Sequence, residues 1–417
     1  MQQTTAPHQE KHKEQITTTC CIVGGGPGGA LLAFMLARRG VAVTLLESHL
    51  DFDREFRGDV IYPSTLAIMD ELGLIERVLQ LPHTKRSAII YEMGDVSMVM
   101  ADLSLLKTKY PYIAMINQAQ LLELITGEAR QYANFRLLMG ARVEELIYEN
   151  DKVCGVRYRG QHGFGEVRAA LVVGADGRFS RVRKELGIQP KKVSSSLDVL
   201  WFRLSRKPED TSEGLIRFGN QRVIALLDRD DHWQIGYVIP KGKYQEVRAA
   251  SLERFRQSIV ETCPLFADRV GEIQEWKQVS VLSVDADCLP RWYAPGVLLI
   301  GDAAHVMSPV GGVGINCAIQ DAVMAANILT AKLKNGGVEL RDLAEIQRQR
   351  QLSIKFLLRY QYFLQKRLLD ATVNSSEDFR IPPIIRFLFG LPLTRDWLVR
   401  MIVFGPRPVH VREPVPS

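Results

Sequence analysis

Six residues near the start of the chain, Gly24-Gly25-Gly26-Pro27-Gly28-Gly29, restrict its fold more than any other stretch. They follow a β-branched, apolar run, Thr18 to Val23, and precede a helical pattern, Gly28 to Arg39, that stops at Gly40. Val41 to Leu46 reads as the next strand. Strand, glycine turn, helix and strand within about thirty residues make a β-α-β unit, which implies a parallel sheet. Glycines fall at 24, 26 and 29. In such a unit the first makes the tight turn, the second lets a pyrophosphate approach, and the third lets helix pack on strand. Pro27 and Gly28 open the helix, whose N-terminus adds partial positive charge for phosphates. Glu47 ends the second strand, eighteen residues beyond Gly29. A carboxylate there accepts from a ribose 2′-OH and repels a 2′-phosphate, so the turn suits the adenosine of FAD or NAD rather than NADP. A GxGxxG alone is a weak signal. Its flanking elements and Glu47 make it a stronger one.

A second strand–loop–helix lies far along the chain. The apolar run Val297 to Ile300 delivers Gly301-Asp302-Ala303-Ala304-His305, and a Pro/Gly loop leads into a helix from Gly314 to about Leu333. Asp302, at the carboxyl end of a buried strand, would accept hydrogen bonds from the ribityl hydroxyls of a flavin. Pro309 stiffens the loop. Gly312, Val313, Gly314, Ile315 and Asn316 would let bare backbone approach a flat ring. The positive end of the helix would then face the ring, where it stabilises the anion that reduction produces. Taken alone, the same glycines also suit a flexible loop. His305 reads as a catalytic base or as a structural residue at the loop base.

Two weaker signals complete the set. Gly174-Ala175-Asp176-Gly177 follows the short apolar strand Leu171 to Val173. An Asp-Gly there is an ordinary turn by itself, but Arg178, Arg181 and Arg183 give it a cationic edge suited to a dinucleotide phosphate. Arg57, in Phe56-Arg57-Gly58-Asp59, would pair with pyrophosphate or lie solvated at the surface.

In this order the motifs resemble those of the class A flavoprotein monooxygenases, the para-hydroxybenzoate hydroxylase-like family. The resemblance spans roughly residues 18–333 and rests on residues 24–29, 174–177 and 301–316, with Asp321-Ala322 in the following helix. Arg57 matches the family's arginine after the second strand, and Gln118 its flavin-contacting Gln or Arg. The resemblance implies an α/β fold: a Rossmann-like FAD-binding domain with an inserted mixed β-sheet substrate domain and a helical C-terminal region. It implies bound FAD, with NAD(P)H as a transient co-substrate. O2 would add at flavin C4a, and the hydroperoxide would oxygenate an aromatic or polyketide-like small molecule. A flavin-dependent halogenase is a rival. Its WxWxIP motif is not intact here, because positions 235 and 237 are Ile and Tyr beside Trp233 and Ile239-Pro240. An FAD-dependent reductase of prenyl or lipid substrates and a non-catalytic FAD-binding redox sensor are two further readings.

Domain organisation follows from the element pattern. Residues 18–80, 117–190 and 278–340 are expected to form the nucleotide-binding domain. Residues 81–116 and 191–277 form the substrate domain, and 341–417 a helical region. Tyr112, Trp201, Phe202, Trp233 and Tyr237 would wall a flat, apolar pocket or serve as core. Residues 1–17 are polar and read as a disordered tail without the apolar segment of a signal peptide. With 417 residues and 46% hydrophobic content, two cores are within reach. The net charge of +6 is spread too thinly to argue for nucleic acid. Six cysteines without a CxxC pair read as reduced thiols of a cytoplasmic protein. Cys20 and Cys21 should point to opposite faces of their strand. No spanning segment and no metal site is expected. The apolar stretch 381–405, interrupted by Arg and Pro, reads as a packed helical tail, with peripheral membrane contact as its alternative.

Overall fold

Residues 14–53, 59–93, 96–161, 163–193, 196–210, 216–229, 231–366 and 392–412 are described by the structure, a computed structural model. Arg57 lies outside them.

The first strand, Glu14–Val23, is the axis of an eight-stranded sheet. It pairs in parallel with Val43–Glu47 on one side and Gly163–Gly174 on the other; Phe135–Met139 and Val297–Leu299 extend the parallel set. Its β-branched and cysteine side chains suit a strand buried on both faces. Cys20 packs in one hydrophobic cluster and Cys21 in the other, so the two thiols face opposite ways. The strand begins earlier than expected. Glu14 to Thr17, assigned to a disordered tail, pair with Gly165 to Arg168, because the neighbouring strand is itself twelve residues long and offers them a ladder.

The helix Pro27–Arg38 is apolar all round, and Gly28 to Ala37 are buried. It can be so because the long helix Gly314–Lys334 and the helix Gln118–Ala129 both pack against it. The segment Val310–Lys334 is apolar and long enough to cross a membrane, but 67% of its apolar window is buried inside the fold, as in a core helix. The extended stretch Phe135 to Glu149 forms two strands. Gly140, at φ +68°, breaks it, and Arg142–Glu149 turns into an antiparallel meander with Lys152–Gly160.

A second sheet has seven strands, in the order Ser280–Ser283, Leu197–Ser205, His232–Pro240, Arg222–Asp228, Ile216–Gly219, Ala88–Met93 and Val96–Asp102. It is mixed, since Ile216–Gly219 runs parallel to Ala88–Met93 and the other pairs are antiparallel. Two boundaries shift. Ser280–Ser283, placed with the nucleotide domain, is an edge strand of this sheet. His83–Arg86 and Ile113–Ile116, placed with the substrate domain, instead form a small sheet with Val60–Ile61.

Strand alternation divides this second sheet into two faces. Leu200, Phe202, Leu204, Trp233, Ile235 and Tyr237 pack with Phe255 and Ile259 of the helix Leu252–Thr262. Leu197, Val199 and Val238 occupy the opposite face with Tyr91 and Phe218. Two more helices, Leu340–Leu364 and Pro392–Phe404, complete the described C-terminal region, while residues 381–391 of the expected helical tail lie outside it. Val411 N–H donates to Glu71 at 2.7 Å, and Arg39 reaches the Arg412 carbonyl at 2.6 Å.

Candidate active site

Three motifs meet because their strands end level. The ladder aligns Val23 with Gly174, Gly174 with Leu299, and Val23 with Leu46. Crosslinks just past those ends hold the turns together: Gly24 N–H to Leu46 at 2.7 Å, Ala175 N–H to Val23 at 2.7 Å, and Ile300 N–H to Gly174 at 3.0 Å. The carboxyl ends of parallel strands are where open α/β sheets bind ligands.

The glycine turn has little room for side chains except where a ligand would come. A Cβ on Gly24, at φ +103°, would lie 2.5 Å from the Ala175 carbonyl, and one on Gly29 would lie 2.0 Å from the Gly24 carbonyl. A Cβ on Gly26 would meet nothing within 4 Å, so the backbone there faces open space. Glu47 is buried, and its carboxylate accepts from Gly25 N–H at 2.9 Å and His49 N–H at 3.0 Å.

In the second motif Asp176 accepts from Ser180 Oγ at 2.5 Å and from the N–H groups of Arg181 and Val182 at 2.6 and 3.1 Å. It therefore satisfies the first two N–H groups of the short helix Arg181–Glu185, whose N-cap is Ser180. Burial pushes its carboxyl up, and those donors oppose the rise. Gly177, Arg178 and Arg181 line the cavity. Arg183 turns away instead, to Asp287 and to the Arg178 carbonyl.

Behind the third motif lies a buried polar network. Asp321 accepts from Gly301 N–H at 3.0 Å and contacts His305 Nε2 and Arg350 Nε, each at 2.7 Å. Burial works against the Asp321 charge, but His305 and Arg350 outweigh it and hold the carboxyl at about 2. Fully buried and packed against Trp292, His305 is a structural residue of the loop base. Asp302, one residue beyond Gly301, reaches the cavity.

Pro309, Gly311, Gly312, Gly314 and Ile315 line the cavity. Gly312 sits at φ +61° with a Cβ position 2.9 Å from Val60, so both conformation and space require glycine. The first-turn N–H groups of the helix Gly314–Lys334 have no carbonyl partner within it. Three of the expected positions are engaged by the protein itself. Gly29 is covered by the turn it packs on, and Val313 is buried in the core. The Asn316 side chain is saturated by protein: it accepts from Tyr62 N–H and Thr65 Oγ1 and donates to the carbonyls of Val60 and Gly312.

A single cavity of about 970 Å³ joins these pieces. One end runs past Gly24, Gly26, Pro27, Gly28 and Glu47. The middle passes Gln118, Asp302 and the Pro309–Gly312 loop. Val199, Trp201, Val223 and Val238 wall the far end, which Tyr360 and Val403 close. Of the five aromatics expected around this pocket, only Trp201 reaches it. Phe202, Trp233 and Tyr237 point to the other face of the sheet, and Tyr112 packs against the nucleotide-domain core. An elongated cavity with a glycine cradle at one end and an apolar chamber at the other fits a flavin dinucleotide with a substrate beside its ring.

Four polar residues of the chamber went unnoticed in the sequence. Asp59 lines the cavity, accepts from Gln118 N–H at 3.3 Å and pairs with Arg229 at 2.9 Å. Burial pushes its carboxyl up to about 6 against the pull of Arg229. Tyr62, Tyr91 and Tyr360 are cavity phenols that burial keeps protonated. Only Asp59 had a local cue, its place two residues after Arg57.

The FAD binding domain family matches residues 17–353. The chain belongs to that family. It is 33% identical to the 6-methylpretetramide 4-monooxygenase of Streptomyces rimosus over 91% of each chain. With the para-nitrophenol 4-monooxygenase of Pseudomonas sp. (strain WBC-3) it shares 26% identity, covering 73% of this chain and 76% of that one. Among solved structures, the anhydrotetracycline hydroxylase OxyS of Streptomyces rimosus superposes with a TM-score of 0.74 at 24% identity, covering 93% of this chain and 76% of that one; this likeness speaks for the fold. The protein is an FAD-dependent monooxygenase.

Proposed function

We propose that this monooxygenase hydroxylates a fused-ring, polyketide-like aromatic, with NAD(P)H as reductant and O2 as oxidant. The observation that carries the substrate class is the apolar face of the second sheet. Leu197, Val199, Val223 and Val238 make a flat wall opposite the Pro309–Gly312 loop. The named substrate of the Streptomyces rimosus relative, a pretetramide, is of this class.

Gly24, Gly26, Pro27 and Gly28 would take the pyrophosphate, Glu47 the ribose hydroxyls and Asp302 the ribityl chain. Bound there, FAD supplies electron transfer from NAD(P)H and the activation of O2. The first turn of the helix Gly314–Lys334 would stabilise negative charge on the ring. The valine wall, Leu364 and Val403 exclude water from the chamber. Polar contacts to the substrate would come from few groups. Trp201 Nε1–H is buried without a partner among the described residues, and the Tyr91 and Tyr360 hydroxyls lie in the same chamber. Asp59, poised near neutrality, can take a proton from a phenolic substrate.

The test is an assay of NAD(P)H oxidation with a panel of phenols and fused-ring polyketides under labelled O2. A substrate that stimulates flavin reduction and retains one labelled oxygen atom supports the reading. Label found only in water and peroxide, with every substrate that stimulates reduction, would show an oxidase or reductase instead.

A further inference from the structure

The loop Ser308 to Gly312 has five consecutive carbonyls, and every one is engaged by a protein donor. Gln361 Nε2 donates to Ser308 O at 2.8 Å and to Val310 O at 2.7 Å. Gly312 N–H donates to Pro309 O at 3.0 Å. The Tyr62 hydroxyl donates to Gly311 O, and Asn316 Nδ2 to Gly312 O at 3.2 Å. The Gln361 amide also accepts from Ser308 N–H at 3.2 Å, and Gln365 Nε2 donates to Ser308 Oγ at 2.7 Å. All four side chains are buried. They come from remote parts of the chain: the segment before the helix Pro63–Glu71, the helix Leu340–Leu364 with the residue after it, and the helix Gly314–Lys334.

Burying four hydrogen-bonding side chains around five residues is more than packing needs. Apolar side chains would fill the same space but leave the loop carbonyls without donors. What the amides and the phenol do is fix the direction of the carbonyl dipoles. A carbonyl turned into the cavity would aim its negative end at the place where reduction adds negative charge. With each oxygen held on a protein donor, the loop carbonyls are fixed in direction rather than free to turn toward a bound ring.

We propose that Gln361 and Tyr62 are positioning residues that hold the loop carbonyls away from the cofactor and thereby favour its reduced, anionic form. The inference rests on the reading that the flavin ring lies against this loop. Its effect is differential. Loosening the carbonyls should weaken the hold on reduced flavin more than on oxidised flavin.

The experiment measures two quantities on the purified holoenzyme and on the variants Tyr62→Phe and Gln361→Met. These are the dissociation constant of oxidised FAD and the midpoint potential of the bound flavin, read spectrally against a reference dye. The expected result for each variant is a roughly tenfold loss of preference for the reduced form, a fall of about 30 mV for a two-electron couple. Oxidised FAD should bind within about threefold of wild type. An unchanged potential in variants that fold and bind FAD would overturn the proposal, whether or not oxidised FAD binds more weakly. Tyr62→Phe removes one hydroxyl, so it decides the matter if Gln361→Met fails to fold. Wild-type protein that takes up no FAD would sink the flavin reading itself, an outcome distinct from an unmoved potential.

Discussion

Asp210–Arg269 and Asp59–Arg229 are two aspartate–arginine pairs beside the second sheet, and they behave in opposite ways. Asp210 and Arg269 lie on the helix-covered side, where Arg269 contacts both carboxylate oxygens at 2.7 and 3.0 Å. Trp233 Nε1–H and Lys207 N–H donate to the same carboxylate. Burial opposes the charge, but these donors outweigh it and hold Asp210 at about 2. Asp59 and Arg229 lie on the cavity side, with one close contact and one longer backbone donor. There burial wins, and the carboxyl rises to about 6. A saturated ion pair is locked charged and serves the fold. An under-saturated one keeps its proton exchangeable near neutral pH, which is a requirement of chemistry rather than of stability.

The largest effect should come from breaking the saturated pair. Arg269→Met leaves Asp210 charged and buried, at an expected cost of about 3–5 kcal/mol in urea unfolding. Asp210 has its carboxyl lowered in the fold, so the stability it adds is present above about pH 4 and lost as pH falls toward 2. That acid loss should vanish in the variant. A variant as stable as wild type would erase the contrast between the pairs.

The cavity pair should show the reverse slope. Asp59 has a raised carboxyl, so the folded state holds its proton more tightly than the unfolded chain does. Its contribution is fully present below about pH 4 and lost as pH rises through 6. In substrate turnover, Asp59→Asn should remove an ionisation near pH 6 from the rate profile and slow oxygenation by roughly 10²-fold. If the profile keeps that limb, another group carries it, and Asp59 is merely a poor ion-pair partner.

A smaller effect separates the two faces through neighbours on one strand. Phe202 is fully buried against Phe255, whereas Trp201 lines the cavity. Trp201→Ala should raise KM several-fold and cost only about 1 kcal/mol in stability, well below the roughly 3–5 kcal/mol expected of Phe202→Ala. Equal stability losses would mean that Trp201 is core after all.

The same division explains what the sequence reveals. The cofactor end is built from backbone at strand ends, and backbone geometry leaves a local mark: Gly24 and Gly312 are glycines because a Cβ has no room there. The chamber is built from side chains on segments hundreds of residues apart. Tyr62, Tyr91 and Tyr360 carry no local signature of their meeting, and Gln361 sits on an ordinary amphipathic helix. The error over Phe202, Trp233 and Tyr237 is of another kind. A strand alternates faces, so Trp201 and Phe202 cannot both see the cavity. The sequence shows which residues share a face, but not which face a helix covers.

The order of the cavity walls along the chain has a consequence for biosynthesis. Glu47, Asp302 and the helix Gly314–Lys334 all lie within residues 14–334, whereas Gln361 and Gln365, which brace the loop Ser308 to Gly312, lie beyond them. Tyr360, Leu364, Val399 and Val403, which wall the apolar chamber, also come after that point. On a ribosome, where folding runs from the N-terminus, the nucleotide-binding strands and turns can thus form before the chamber walls and the loop braces are made.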